Sequence, residues 1–324
     1  MQLHENSDSF SELLQITAED LRLPQIYIEK DYWVTKALKY LSESSYVSQV
    51  VFKGGTSLSK AYKLVERFSE DIDLAIFIEN RTDSEQKSLL KNIEYTVTNG
   101  LSKVNNDPRI SKGSKIRKTV YQYPHSTNGS RFGQISPDLL IEISVFTNPE
   151  PHESKRIQSL VAEFLSRNGN ADLITKFNME DFNINVLSVR RTLVEKVLSI
   201  VKDSYSENPE LRLSNRIRHL YDICLILRRN EYRTFVQSDE FMKLCLTCIA
   251  EEIAGSFNRS ECFDKPLVEA PLFSKFNQWL PALNRTYTTS FKELVFGDLP
   301  AMSEITETIT FLRENLNRFE LQSP

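Results

Sequence analysis

Residues 51–77 read VFKGGTSLSKAYKLVERFSEDIDLAIF, and the way this stretch is parsed decides the fold. The apolar run Val47–Phe52 predicts a short buried strand. Gly54 and Gly55 follow as a turn, and Thr56 to Arg67 reads as a helix capped by Thr56 or Ser57. Asp71 to Ile78 reads as a second strand. Side chains alternate along a strand, so Asp71 and Asp73 share one face, ~7 Å apart, while Ile72 and Leu74 point into the core. Two carboxylates so placed repel unless something positive lies between them. A hard divalent cation answers that, because Mg²⁺ favours carboxylate oxygens together with substrate phosphates. The plainer alternative is a solvated strand edge with two surface acids. The turn has two readings as well. Glycine lets backbone approach a ligand, and the N–H groups that open a helix favour phosphate; a tight turn with a capping hydroxyl is the commoner case. The spacings GxxxxGK[ST] and GxGxxG are absent, so the phosphate reading rests on the combination of turn, helix and paired acids.

Working outward, the chain of 324 residues carries 44 acidic against 40 basic side chains and a net charge of -4. That excludes a strongly basic protein that coats nucleic acid, but it leaves room for a local basic groove. With nine glycines in this length, Gly54-Gly55 is a local choice. Cys245 and Cys248 have CxxC spacing inside an apolar helical pattern, and with Cys224 and Cys262 they read as buried free thiols rather than a zinc site or disulfide. The opening MQLHENSDSFSELL lacks the features of a secretion signal. No apolar run reaches the ~20 residues that span a bilayer. The expectation is a cytoplasmic protein with no membrane partner.

Residues 8–20, 24–42 and 83–103 read as helices, and Pro24 suits a first turn. The segment 111–134 is polar and basic, with Tyr121 and Tyr123 suggesting hairpin strands and Pro124, Asn128 and Gly129 suggesting turns. DLLIEISVF, 138–146, is a strong strand with one acid inside it, and FNINVLS reads as a last strand. Ser188 can cap a helix through VRRTLVEKVLSIVK. Asp203–Ser214 reads as a mobile loop, and 215–229, 235–255, 272–283 and 302–318 as helices. The fold class expected is α+β: a mixed-sheet domain over 1–180 and a mainly helical domain over 181–324, with the boundary within 150–190.

A third acid is the next requirement, because two-metal phosphoryl chemistry uses three carboxylates. Glu142 interrupts the apolar strand LLIEISVF, where an unpaired buried acid would be costly. Asp138, after Pro137 and at the strand's start, is the weaker alternative. A glycine turn, then DxD, then a third acid on a neighbouring strand resembles the nucleotidyltransferases of the DNA-polymerase-β-like fold.

The likeness goes further. GGTSLSKAYKLVERFSEDIDL resembles the signature of the AbiEii/AbiGii-type nucleotidyltransferase toxins of type IV toxin–antitoxin and phage-defence systems. EKDYWVTKAL at 29–38, RRTLVEKVLSI at 190–200 and RHLYDICLIL at 218–227 agree with it, in the same order along the chain. The resemblance implies a metal-dependent transfer of NMP from an NTP to an acceptor, the 3′ end of tRNA, which stops translation, with a cognate antitoxin as partner. In that reading Asp71, Asp73 and Glu142 hold two Mg²⁺ ions, with Mn²⁺ as a substitute. Gly54, Gly55, Thr56 and Ser57 bind the nucleotide. Lys196, bordering the apolar stripe of Val189, Leu193, Val197 and Ile200, reaches phosphate, although a snorkelling lysine is the plainer reading. Asp222 positions the nucleotide or Lys196, or else pairs with Arg218 one helical turn away. Lys30 approaches the same cleft or lies on the surface. Arg67 and Ser69 orient the acids or contact phosphate, or Arg67 pairs with Glu66 or Glu70. Lys112, Lys115, Arg117 and Lys118, interleaved with Tyr121 and Tyr123, suit RNA backbone contacts and base stacking. Arg190, Arg191, Arg212, Arg216 and Arg218 form a second basic wall or a solvated face. Two alternatives stay open: a transferase acting on a protein side chain or a small molecule, and a non-catalytic nucleotide- or RNA-binding scaffold.

Overall fold

The computed structural model of the chain describes residues 1–69, 71–77, 81–126, 136–255 and 261–320. Glu70, Ile78, Asn128 and Gly129, to which the sequence assigns a partner, a strand end and turns, lie outside the described residues. The chain divides into two compact units, Met1–Tyr62 with Phe68–Leu187, and Lys63–Arg67 with Ser188–Pro324.

The first unit runs α1 (Ser7–Leu21), α2 (Gln25–Ser42), β1 (Val50–Lys53), α3 (Gly54–Lys60), β2 (Asp71–Ile76), α4 (Asp83–Val97), β3 (Ser102–Val104), β4 (Ser111–Lys112), β5 (Ile116–Gln122), β6 (Leu139–Ser144), β7 (His152–Ile157), α5 (Leu160–Arg167), α6 (Ala171–Lys176) and β8 (Phe182–Leu187). Its sheet has the order β3-β5-β6-β2-β1-β8-β7, with β4 beside β5. The sheet is mixed. β1 is antiparallel to β2 and parallel to β8, and β2 is parallel to β6. Phe52, Ile72, Leu74, Ile141 and Ile143 are buried in one core with Leu38 and Leu41 of α2 and Leu90 and Ile93 of α4. FNINVLS enters this sheet as β8, between β1 and β7, and the first unit ends at Leu187.

EKDYW sits in the middle of α2, where burial spreads well beyond a single stripe. Its three charges are structural. The Glu29 carboxylate accepts from the Ser126 N–H at 2.6 Å, and Lys30 Nζ donates to the Ser136 carbonyl at 2.6 Å. Asp31 takes Lys60 on one oxygen and the Leu160 N–H on the other. Lys30 is fully buried, so the surface reading does not describe it.

The second unit is helical: α7 (Val189–Asp203), α8 (Pro209–Asn215), α9 (Ile217–Leu227), α10 (Asn230–Val236), α11 (Asp239–Gly255), α12 (Pro271–Thr286) and α13 (Met302–Glu320). The Ser188 side chain caps α7 by accepting from the Arg191 N–H, as its sequence suggests. The expected loop at 203–214 instead contains α8. Asn208 caps it and Pro209 fills its first turn, two helix-start signals that outweigh the polarity of the segment. The four cysteines are buried and not joined in disulfides. No helix among the described residues is long and apolar enough to cross a membrane.

The helix expected over 56–67 is shorter than read. α3 runs directly out of β1 and ends at Lys60, and Lys63 turns left-handed at φ 52°. Residues 63–67 then join the second unit. There Arg67 bridges Val295, and the Glu66 carbonyl accepts from the N–H groups of Phe296 and Gly297. Gly297 is required at that contact, since a Cβ would lie 1.8 Å from Glu66 Oε2.

Candidate active site

In the first unit, β2 carries the two aspartates and β6 carries the third acid. The strands are parallel, with Asp71 opposite Leu140 and Asp73 opposite Glu142. In-register neighbours point to one side of a sheet, so Asp71, Asp73 and Glu142 share a face. The opposite face carries Ile72, Leu74, Ile141 and Ile143 into the core. Gly54, at φ +78°, lies against this acid face: a Cβ there would be 2.1 Å from Asp73 Oδ2. The first glycine of the pair is thus fixed by the closeness of the Asp73 carboxylate and by its own left-handed backbone.

The hydroxyls of the turn are engaged inward. Thr56 Oγ1 donates to the Asp71 carbonyl at 2.5 Å and lies 2.9 Å from Ser69 Oγ. Ser57 Oγ donates to the Gly54 carbonyl at 2.9 Å. Both side chains are buried. Neither caps α3, whose N-cap is Lys53 with no side-chain hydrogen bond. The Thr56 hydroxyl therefore fastens the turn to β2 and the Ser57 hydroxyl closes the turn on itself, which leaves the backbone N–H groups of the turn as its candidates for phosphate.

Glu142 is about a third exposed, and its Oε2 lies 3.0 Å from Lys118 Nζ on β5. Among the described residues, no three His, Cys, Asp or Glu side chains stand close enough together to hold a metal ion. The expected convergence is thus present in the strand register but not closed at the carboxylate tips. The donor chemistry suits a hard divalent cation, with three carboxylates from adjacent strands on one face. Asp138 is held instead by Arg109, at 3.3 Å.

The basic cluster expected to meet RNA is divided by the strand alternation. Arg117 is buried, ion-paired with Glu94 of α4. Tyr121 donates to the same carboxylate at 2.6 Å, and Tyr123 is stacked on Trp33 in the core, so neither ring is offered to bases. Lys118 points to the other face with Glu142, and Lys112 is exposed. Burial alone would raise the Glu94 carboxyl, but hydrogen bonds from Lys103, Tyr121 and Arg117 override it and hold it down at about 2.

In the second unit, Asp222 is fully buried on α9. Arg67 grips it at both oxygens, Nε to Oδ1 at 2.6 Å and Nη2 to Oδ2 at 2.7 Å. Lys196 Nζ of α7 reaches Oδ2 at 2.8 Å. Burial works to raise the Asp222 carboxyl; the two cations overcome it and drive it well below the usual range. Of the readings for Asp222, the one that ties it to Lys196 matches this geometry. The partner of Arg67 is Asp222, 155 residues away, which no local pattern announces. In the second basic wall, Arg190 pairs with Glu240, Arg191 with Glu195 and Glu251, and Arg216 with Asp203.

A separate cleft in the first unit, lined by Tyr32, Lys36, Tyr40, Ser159, Met179 and Phe182, includes none of the predicted site residues.

Residues 36–304 match the family described as Nucleotidyl transferase AbiEii toxin, Type IV TA system. The chain belongs to the AbiEii nucleotidyltransferase toxin family. It is thus a nucleotidyltransferase, and its family is that of type IV toxin–antitoxin systems. Enzymes of this kind use an NTP and divalent metal ions in general. Among solved structures, the chain is similar to MenT4, a nucleotidyltransferase toxin from Mycobacterium tuberculosis H37Rv. The TM-score is 0.53 at 14% identity, over 94% of this chain and 98% of that one, a likeness of fold. No curated protein matches the chain.

Proposed function

We propose that this AbiEii-family toxin transfers NMP from an NTP to the 3′ end of tRNA and so blocks translation, restrained by a cognate antitoxin, in a growth-arrest and phage-defence role. The observation that carries the catalytic part is the register of Asp73 with Glu142, with Asp71 on the same face and Gly54 against Asp73. Asp71, Asp73 and Glu142 would hold the divalent ions, Mg²⁺ or Mn²⁺. Bound there, the ions would supply charge neutralisation at the transferring phosphoryl group. The backbone of Gly54 to Ser57 orients the polyphosphate. The acceptor hydroxyl gives up its proton toward Glu142 as its oxygen bonds to the α-phosphorus, and the bond to the β-phosphate oxygen breaks to release pyrophosphate. Lys196, fixed on Asp222, keeps the role of polyphosphate ligand, tested by a raised KM for NTP in Lys196→Met.

The choice of tRNA is supported by the resemblance to AbiEii toxins. One observation favours a second acceptor class, a protein side chain or small molecule: burial of Arg117, Tyr121 and Tyr123 removes half of the expected RNA-binding cluster. Incubation with each labelled NTP, first with total RNA and then with cell protein, separates the two. Label on the tRNA band supports the proposal, and label confined to protein transfers it to the second reading. Asp71→Ala should lose transfer by roughly a thousandfold or more, with growth inhibition. Undiminished transfer by that variant would remove the metal assignment.

A further inference from the structure

The register that joins Asp73 to Glu142 continues on both sides. Lys118 of β5 lies opposite Glu142, and Lys53 of β1 lies opposite Asp73. Four strands thus place lysine, glutamate, aspartate and lysine in one row across the acid face. Two like charges directly opposite on neighbouring strands are destabilising, so the inner pair needs positive charge beside it whenever no divalent cation is bound. Lys118 supplies it to Glu142, with Nζ 3.0 Å from Oε2. The contact is not needed by the core. Arg117, one residue earlier and on the opposite face, makes the buried ion pair with Glu94, whereas Lys118 and Glu142 are each about a third exposed. An ion pair this open to water is weak and exchangeable.

We propose that Lys118 is a resident counter-cation of Glu142, which must give up that carboxylate when a divalent cation binds, and that it thereby weakens metal binding in the absence of nucleotide. The inference rests on the metal-binding reading of the three acids. It concerns a positioning residue, which acts through Glu142.

The test is Mn²⁺ binding to the full chain without nucleotide, followed by the electron paramagnetic resonance signal of free Mn²⁺. Lys118→Met should bind Mn²⁺ about tenfold more tightly than the natural chain, because a positive charge next to the ligand set is gone. Lys118→Arg, which keeps the charge, should stay within about twofold of it. Asp73→Asn should weaken binding in either background. Equal or weaker binding by Lys118→Met, with Asp73→Asn still impaired, overturns the inference and leaves the acid site standing. Binding that ignores Asp73→Asn overturns the site itself, and the inference with it. Thermal unfolding shows that each variant is folded, and Lys118→Gln repeats the measurement at this part-exposed position should the methionine variant aggregate.

Discussion

The two units each carry a cluster of acids and bases, and the clusters are built on opposite principles. In the first unit, Asp71, Asp73 and Glu142 stand on a sheet face, and Glu142 is about a third exposed beside an equally exposed lysine, Lys118. In the second, Asp222 is wholly buried and held by Arg67 at both oxygens and by Lys196 at one. A half-solvated carboxylate retains oxygens that can bind something new. A buried one that is saturated by its own chain sets the position of its partners instead. On the proposed reading the first cluster is a site that binds and the second a clamp that holds, although the sequence presents both as active-site acids.

The sharpest way to break that contrast is to remove one acid from each cluster and measure stability. Asp222→Ala removes the carboxylate that two buried cations share and should destabilise the second unit by roughly 3–5 kcal/mol. Hydrogen exchange in α9 and residues 63–67 would show the loss locally. Asp71→Asn should change unfolding free energy by less than about 1 kcal/mol while removing transfer. Equal losses of stability in the two variants would abolish the distinction between site and clamp.

Glu94 sharpens the contrast inside the first unit, because it too is buried among Arg117, Lys103 and Tyr121 and has the character of a clamp. Its folded carboxyl sits at about 2, below the ordinary value of 4.5. A depressed carboxyl contributes stability that is fully present above the unfolded value and is lost as pH falls through the folded one. The contribution, about 3 kcal/mol at neutral pH, should therefore decay between about pH 4.5 and 2 in the natural chain and be missing in Glu94→Gln. Denaturant unfolding at pH 7 and pH 3 measures it. A variant whose deficit is the same at both pH values would show that Glu94 acts by packing alone.

What the sequence made legible follows from how local each signal is. The faces of Asp71 and Asp73 follow from strand alternation, and Glu142 shows itself as the one acid in an apolar run. The cap at Ser188 is a signal within four residues. Lys118 was grouped with Arg117 because they are adjacent, yet adjacency on a strand sends them to opposite faces, and only cross-strand register assigns Lys118 to Glu142. The end of α3 at Lys60 was hidden, since the left-handed residue that follows is Lys63 and not a glycine or asparagine. The Arg67–Asp222 pair spans 155 residues, and no periodicity reports on such a separation.

The smallest expected effect lies where clamp and site meet within one residue. Thr56 was read as a nucleotide ligand, but its hydroxyl donates to the carbonyl of Asp71, the first residue of β2. The hydroxyl is buried, so Thr56→Val removes that hydrogen bond and should cost about 1 kcal/mol, the net worth of one such bond. Thr56→Ser keeps the donor and should recover most of it. Because the bond anchors the strand start that carries Asp71, the valine variant should lower kcat more than it raises the KM for NTP. A hydroxyl that bound polyphosphate directly would do the reverse. Steady-state transfer with both variants therefore decides whether the hydroxyl of this turn faces the ligand or the strand.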